Sequence, residues 1–168
     1  MNVVLTGFMG TGKTAIGREL SKILNMKIVD IDDEIERSRE MKISDIFENF
    51  GEAFFREIET ETIKKFSRAD NIIISTGGGA VLRQENMDAL RENGTVFCLN
   101  ASPRTILDRT SGNDDRPLLK AEDPMARIEE LLSLRRPFYE RAGINIDTED
   151  KTPLQVAREI VEILKCRK

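Results

Sequence analysis

The chain has 168 residues, 33% of them charged and 39% hydrophobic, and carries a net charge of −4. That length favours a single domain, residues 1–168, with room for one sizeable core, and an acidic balance without a long basic run argues against nucleic acid or an anionic membrane as the main partner. Histidine is absent and the two cysteines, Cys98 and Cys166, stand in no metal-ligand spacing, which excludes a zinc site or a histidine-based triad and suits a reducing cytosol.

Residues 2–6 form a short run rich in Val and Leu and predict a buried strand. Because the chain enters this strand at once, no signal peptide is expected, and no apolar stretch reaches 18 residues. Gly7-Phe8-Met9-Gly10-Thr11-Gly12-Lys13-Thr14 follows and fits G-x-x-x-x-G-K-[ST] at every fixed position. Beyond it, Ile16, Leu20, Ile23 and Leu24 repeat with a helical period. The motif thus sits where its mechanism requires, between a strand and a helix. Its glycines let backbone N–H groups of Gly10, Thr11, Gly12, Lys13, Thr14 and Ala15 turn around an anion, and the helix N-terminus adds positive potential. Lys13 would reach the β- and γ-phosphates of a nucleotide, and the Thr14 hydroxyl would hold Mg²⁺.

A strand at 27–30 ends in acidic residues, and 32–39 is helical. Residues 43–68 read as one or two helices interrupted near Gly51. A strand at 71–75 runs into Thr76-Gly77-Gly78-Gly79, and a helix at 83–92 precedes a strand at 95–99. Ser102 is an N-cap with Pro103 at the first helical position. Residues 111–123 are polar and without period; helices at 124–141 and 153–165 flank a last strand at 143–147. Strands alternate with helices, which predicts an α/β fold with a mostly parallel sheet covered on both faces. Ligands of such sheets bind beyond the C-terminal strand ends. Three post-strand loops meet there: the phosphate loop, the stretch 30–33 and the triple glycine.

Asp30 and Asp32 are two apart, so on an extended segment they share a face. Phosphoryl transfer needs carboxylates for two tasks, ordering the water shell of Mg²⁺ and accepting the proton of an attacking hydroxyl. Asp33 and Glu34 suit the dipole of a helix start. Gly77, Gly78 and Gly79 permit close approach by a ligand. Arginine is the side chain for bidentate capture of carboxylate or phosphate, and four stand out: Arg56 beside Phe54 and Phe55, Arg109 before the polar loop, Arg116 within it, and Arg135 four residues before Tyr139. Glu59 lies one helical turn beyond Arg56 and is placed to orient its guanidinium. Arg56 with Phe47 and Phe55 would form a pocket for a small acid.

Together these residues resemble the shikimate kinase family. The likeness runs from the phosphate loop to Pro153. It rests on Asp30-x-Asp32, the Phe-Arg-x-x-Glu of Phe55, Arg56 and Glu59, the glycine triplet, the Arg-Pro-Leu-Leu segment at Arg116, and Arg135 preceding Pro137 and Tyr139. It implies a P-loop, nucleoside-monophosphate-kinase-like α/β/α sandwich whose five-stranded parallel sheet has the order 2-3-1-4-5. It further implies a lid loop over 111–123 and an acceptor-binding region over 32–60. The implied activity is transfer of the ATP γ-phosphoryl to the 3-hydroxyl of shikimate with Mg²⁺, on the route to chorismate and the aromatic amino acids. By the same resemblance Asp32 meets the acceptor hydroxyls and Arg56 and Arg135 grip its carboxylate. Gly78 offers a backbone contact, Thr14 binds Mg²⁺ directly and Asp30 binds it through water. Arg116 closes onto the phosphates, Arg109 lies by adenine, and the segment before Pro153, with Lys151, lines the adenine site. A monomer in the cytoplasm is expected, with ATP and shikimate as partners.

The residues alone reach a P-loop kinase of a small anionic acceptor. A gluconate or nucleoside-monophosphate kinase on the same scaffold stays open at that level. So does a slowly hydrolysing nucleotide switch, although it would leave Asp32, Arg56 and Arg135 without a task.

Overall fold

A computed structural model describes residues 1–111 and 122–166. The elements run β1 Asn2–Gly7, α1 Lys13–Leu24, β2 Lys27–Asp30, α2 Ile31–Arg39, α3 Ile43–Ser67, β3 Ile72–Ser75, a 3₁₀ turn Ala80–Leu82 and α4 Gln84–Glu92. They continue with β4 Gly94–Asn100, α5 Pro103–Thr110, α6 Pro124–Ala142, β5 Ile144–Asp147 and α7 Pro153–Cys166. The strands form one parallel sheet in the order β2-β3-β1-β4-β5. This is the expected order.

The period of two along each strand sorts side chains to the two faces. Val4, Phe8, Ile74, Val96 and Cys98 join the core beneath α2 to α6. Val3, Leu5, Ile73, Phe97 and Leu99 join the core beneath α1 and α7. Because both faces are covered, the strands read as continuous apolar runs rather than alternating ones. Burying each such Leu, Ile or Phe side chain contributes roughly 1.5–3 kcal/mol, and Ile160, Leu20 and Ile63 are fully buried on the helices that close over them.

Helix ends follow local chemistry. Ser102 caps α5 by accepting from the Thr105 N–H at 3.2 Å, with Pro103 next to it. Asp30 caps α2 by accepting from the Asp32 N–H at 3.1 Å. The break expected in the long third helix falls at Gly51, whose φ of 84° and ψ of 169° no α-helix contains. The break separates the first half of α3 from the second, which carries Arg56 and Glu59. Most of the expected lid, residues 112–121 with Arg116, lies outside the described residues.

Candidate active site

Gly10 and Gly12 hold φ of 80° and 97°, which lets the phosphate loop wrap back on itself before α1. The Thr11 hydroxyl closes the loop by donating to the Phe8 carbonyl at 2.7 Å. Lys13 Nζ lies across the loop and donates to the carbonyls of Gly7 and Phe8 at 2.7 and 2.9 Å. Thr14 and Ala15 stand exposed in the first turn of α1. Parallel pairing places β3 beside β1 and β2 beside β3, so Asp30 and Ser75 end neighbouring strands on the side of the sheet that carries this turn. Asp30 Oδ2 accepts from the Thr14 hydroxyl at 3.3 Å and from the Ser75 hydroxyl at 3.0 Å. Asp30 therefore both caps α2 and gathers two hydroxyls beside the phosphate loop.

Arg109 joins the loop from the other side. Its guanidinium donates to the Gly10 carbonyl at 3.3 Å and to the Thr148 hydroxyl and carbonyl, each at 3.2 Å. Lys151 lies three residues past Thr148, with its ammonium paired to Glu159 at 2.8 Å. The start of α1 and the residues after β5 face each other across a cleft lined by Ala15 and Pro153.

On the α3 side of the phosphate loop lies a cavity of about 370 Å³, lined by Asp30, Asp32, Arg56, Glu59, Arg135 and all three glycines of the triplet. Arg56 reaches it from α3, one turn before Glu59, and pairs with Glu59 at 2.7 Å and Glu52 at 3.1 Å. Its guanidinium also sits over Phe55 at 5.1 Å, and Phe55 stacks with Phe47 at 4.8 Å. Phe54 belongs to the outer face instead, exposed and stacked on Phe50. Arg135 enters from α6, 5% exposed, with its guanidinium 5.8 Å from the Phe8 ring.

The glycine triplet is needed for close approach. A Cβ on Gly77 would stand 2.8 and 2.9 Å from carboxylate oxygens of Glu59 and Asp32, and one on Gly79 would fall 2.2–2.5 Å from the Arg56 guanidinium. Gly79 has an ordinary backbone conformation, and the group it would strike is the far end of a flexible side chain. Gly79→Ala should therefore fold but displace Arg56. Losing one charged hydrogen bond of about 1.5–3 kcal/mol corresponds to about 10- to 150-fold weaker use of a carboxylate acceptor. Steady-state kinetics should show this loss with the KM for ATP within about twofold of the native value.

Asp32 is partly accessible as a residue, yet its Oδ1 is buried without a partner. Burial pushes its carboxyl up to about 7, the negative charges of Glu59 and Asp30 add to this, and Lys13 and Arg56 oppose it. Glu59, fully buried, is likewise raised by burial, against the pull of Arg56, Arg135 and Arg83. Buried polar atoms normally find partners. Among the described residues six side-chain atoms do not, and four of them are Asp32 Oδ1, Arg56 Nε, Glu59 Oε1 and Arg135 Nη1. Their gathering in one cavity fits a site built for a polar ligand bearing both an anionic group and hydroxyls.

The raised Asp32 carboxyl has a consequence for stability. Between pH 4 and 7 the folded protein keeps a proton that the unfolded chain, with an Asp near 3.9, has released. The unfolded state then binds fewer protons, so this group's contribution falls as pH rises through that window and levels off above about 7. In the absence of nucleotide and divalent metal, Asp32→Asn should melt higher than the native chain, with a gap that widens from pH 4.5 to 7.5. Scanning calorimetry showing a pH-independent gap would contradict a buried carboxylate that titrates in this range.

A sequence model of the shikimate kinase family matches residues 9–165. The chain belongs to the shikimate kinase family. A shikimate kinase of Thermodesulfovibrio yellowstonii is 49% identical over 161 residues, which cover 96% of this chain and 93% of that one. The structure superposes on shikimate kinase from Acinetobacter baumannii in complex with shikimate with a TM-score of 0.96 at 34% identity, covering 99% of this chain and 94% of that one. Shikimate kinase from Aquifex aeolicus gives a TM-score of 0.85 at 36% identity, covering 98% and 96%.

Ser75, Thr148 and Tyr139 are site residues that sequence reasoning gave no task. Ser75 and Thr148 carry no local signal, because each meets its partner only through strand pairing or chain return. Tyr139 stands at i+4 from Arg135, a spacing that places both on one face of α6.

Proposed function

We propose that this protein transfers the γ-phosphoryl of ATP to the 3-hydroxyl of shikimate, in the cytosol. The observation that carries this is the cavity beside the phosphate loop, where Asp32, Arg56 and Arg135 face one space with unpartnered polar atoms. A carboxylate would lie between Arg56 and Arg135, and the ring hydroxyls would meet Asp32 and the glycine turn of Gly77, Gly78 and Gly79. Asp32 orients the reacting hydroxyl and accepts its proton. A carboxyl held near 7 is well matched to that transfer at neutral pH.

The backbone N–H groups of Gly10 to Ala15 cradle the nucleotide phosphates, and Lys13 leaves the loop carbonyls to meet the β- and γ-oxygens. Arg109 and the segment holding Lys151 flank the adenine. Arg116, outside the described residues, adds positive charge at the phosphates.

The donor set fits Mg²⁺. Thr14 and Asp30 supply hard oxygens beside the phosphate loop, and no cluster of three or more His, Cys, Asp or Glu among the described residues offers a richer cage. Such a site suits an ion that keeps several waters and takes its other ligands from phosphate. When bound, Mg²⁺ would neutralise charge on the phosphoryl oxygens. The Thr14 hydroxyl would hold it directly, and Asp30, steadied by Ser75, would hold its water. No described helix is long and apolar enough to cross a membrane. ADP release from ATP and Mg²⁺ with and without shikimate tests this reading, and release that shikimate leaves unchanged would contradict it.

A further inference from the structure

Tyr139 is 4% exposed and links the parts of the site. Its hydroxyl donates to the Gly78 carbonyl at 2.7 Å. Its ring meets Phe8 of the phosphate loop edge-on, at 6.4 Å between centroids and 84° between planes. Burial pushes its phenol up to about 12, against the nearby positive charge of Arg135, so the hydroxyl keeps the proton it donates.

The glycine turn needs such an anchor. Its other two carbonyls are taken by the following 3₁₀ turn, Gly77 by the Ala80 N–H at 3.2 Å and Gly79 by the Leu82 N–H at 3.0 Å. Among the described residues the Gly78 carbonyl has no backbone donor, and no acceptor takes the N–H of Gly77, Gly78 or Gly79. The Gly78–Gly79 peptide is trans and planar, so its C=O and N–H point in opposite directions. With the carbonyl tied to Tyr139, the Gly79 N–H is turned away from the Tyr139 hydroxyl. Gly78 and Gly79 line the cavity and Tyr139 does not, while Arg135 lines it from α6.

We propose that Tyr139 is a positioning residue for the acceptor, its hydroxyl bond to Gly78 holding the glycine turn so that the Gly79 N–H is presented to the bound acid. This role rests on the cavity being the shikimate site. It acts on acceptor capture and leaves the nucleotide side alone, because the contact with Phe8 belongs to the ring and the phosphate loop is closed by its own Thr11 bond. Arg135 and Tyr139 thus serve the same ligand from one face of α6, one by contact and one through the backbone.

Tyr139→Phe removes the hydroxyl and keeps the ring. Loss of a neutral hydrogen bond that orients a ligand-binding turn should raise the KM for shikimate about 3- to 10-fold. The KM for ATP and kcat should stay within about twofold. Calorimetric titration of shikimate onto the ADP-bound protein should show the same loss as the KM. A merely structural tyrosine would instead lower the melting temperature and change both KM values together, or change neither, and either result would overturn the role. Native-protein turnover that shikimate does not stimulate would overturn the functional reading itself, and this role with it.

Discussion

Lys13→Ala is expected to lower kcat by about 10²- to 10³-fold, the loss typical of removing a donor aimed at charge that grows in the transition state. The free loop already shows why the effect should fall on turnover. Lys13 lies against the Gly7 and Phe8 carbonyls at 2.7 and 2.9 Å, and in the proposed complex it exchanges them for the phosphate oxygens. Those carbonyls belong to a loop closed independently by Thr11, so the fold should survive the substitution. Lys13 also lowers the Asp32 carboxyl, and its removal should push that group further upward. The kinetic loss should therefore be accompanied by a displaced pH profile. Single-turnover phosphoryl transfer within a few-fold of the native rate would remove the phosphate loop from the mechanism.

The second large effect concerns the paired arginines. A charge-assisted contact to an acceptor carboxylate in a closing site is worth roughly 2–5 kcal/mol when one partner is truncated. Arg56→Ala should then weaken use of shikimate by about 30-fold to several thousand-fold, with little change for ATP. Arg56 has a second task, however. It neutralises the fully buried Glu59 at 2.7 Å, and its loss leaves that charge unpaired. A change of this kind destabilises by about 3–5 kcal/mol, so Arg56→Ala should also melt at a lower temperature. Arg135 has a buried Nη1 without a partner and rests on the Phe8 ring, so Arg135→Ala is the cleaner probe. It should reproduce the loss of acceptor use with a smaller fall in melting temperature. Lysine at either position should recover only part, since a point charge cannot reproduce the planar fork. A shikimate analogue lacking the carboxylate should bind the native protein poorly, and neither substitution should hurt it much further. Equal losses for shikimate and that analogue would make the arginines structural.

How much of this was legible in the sequence depends on how far apart the partners lie. The phosphate loop was fully legible, because its chemistry and its strand–helix setting are contained in one short run from β1 to α1. Arg56 with Glu59 was legible for the same reason, as an i,i+3 pair on a helix. Gly51 was legible as a break because glycine tolerates a backbone that other residues avoid. Strand order was different. Periodicity predicts strands, but nothing in a strand names its neighbour, and 2-3-1-4-5 came from family resemblance. The bonds of Ser75 to Asp30, Arg109 to Thr148 and Tyr139 to Gly78 join residues far apart in the chain, so they appear only when the strand ends are gathered and α5 and α6 pack beside them. The 3₁₀ turn Ala80–Leu82 escaped because three residues carry no period. Phe54 and Phe55 look alike in sequence, but as neighbours on a helix of about 3.6 residues per turn they point different ways, Phe55 into the cavity and Phe54 to solvent.

The central claim is that the cavity beside the phosphate loop receives shikimate as phosphoryl acceptor. Its most direct test is ADP release by the purified protein with saturating ATP and Mg²⁺, alone and with shikimate, gluconate or a nucleoside monophosphate, followed by phosphorus NMR of the product. Stimulation by shikimate alone, with the new phosphate on the 3-hydroxyl, is the result expected. ADP release that shikimate leaves unchanged, or that gluconate or a nucleoside monophosphate stimulates instead, would contradict it.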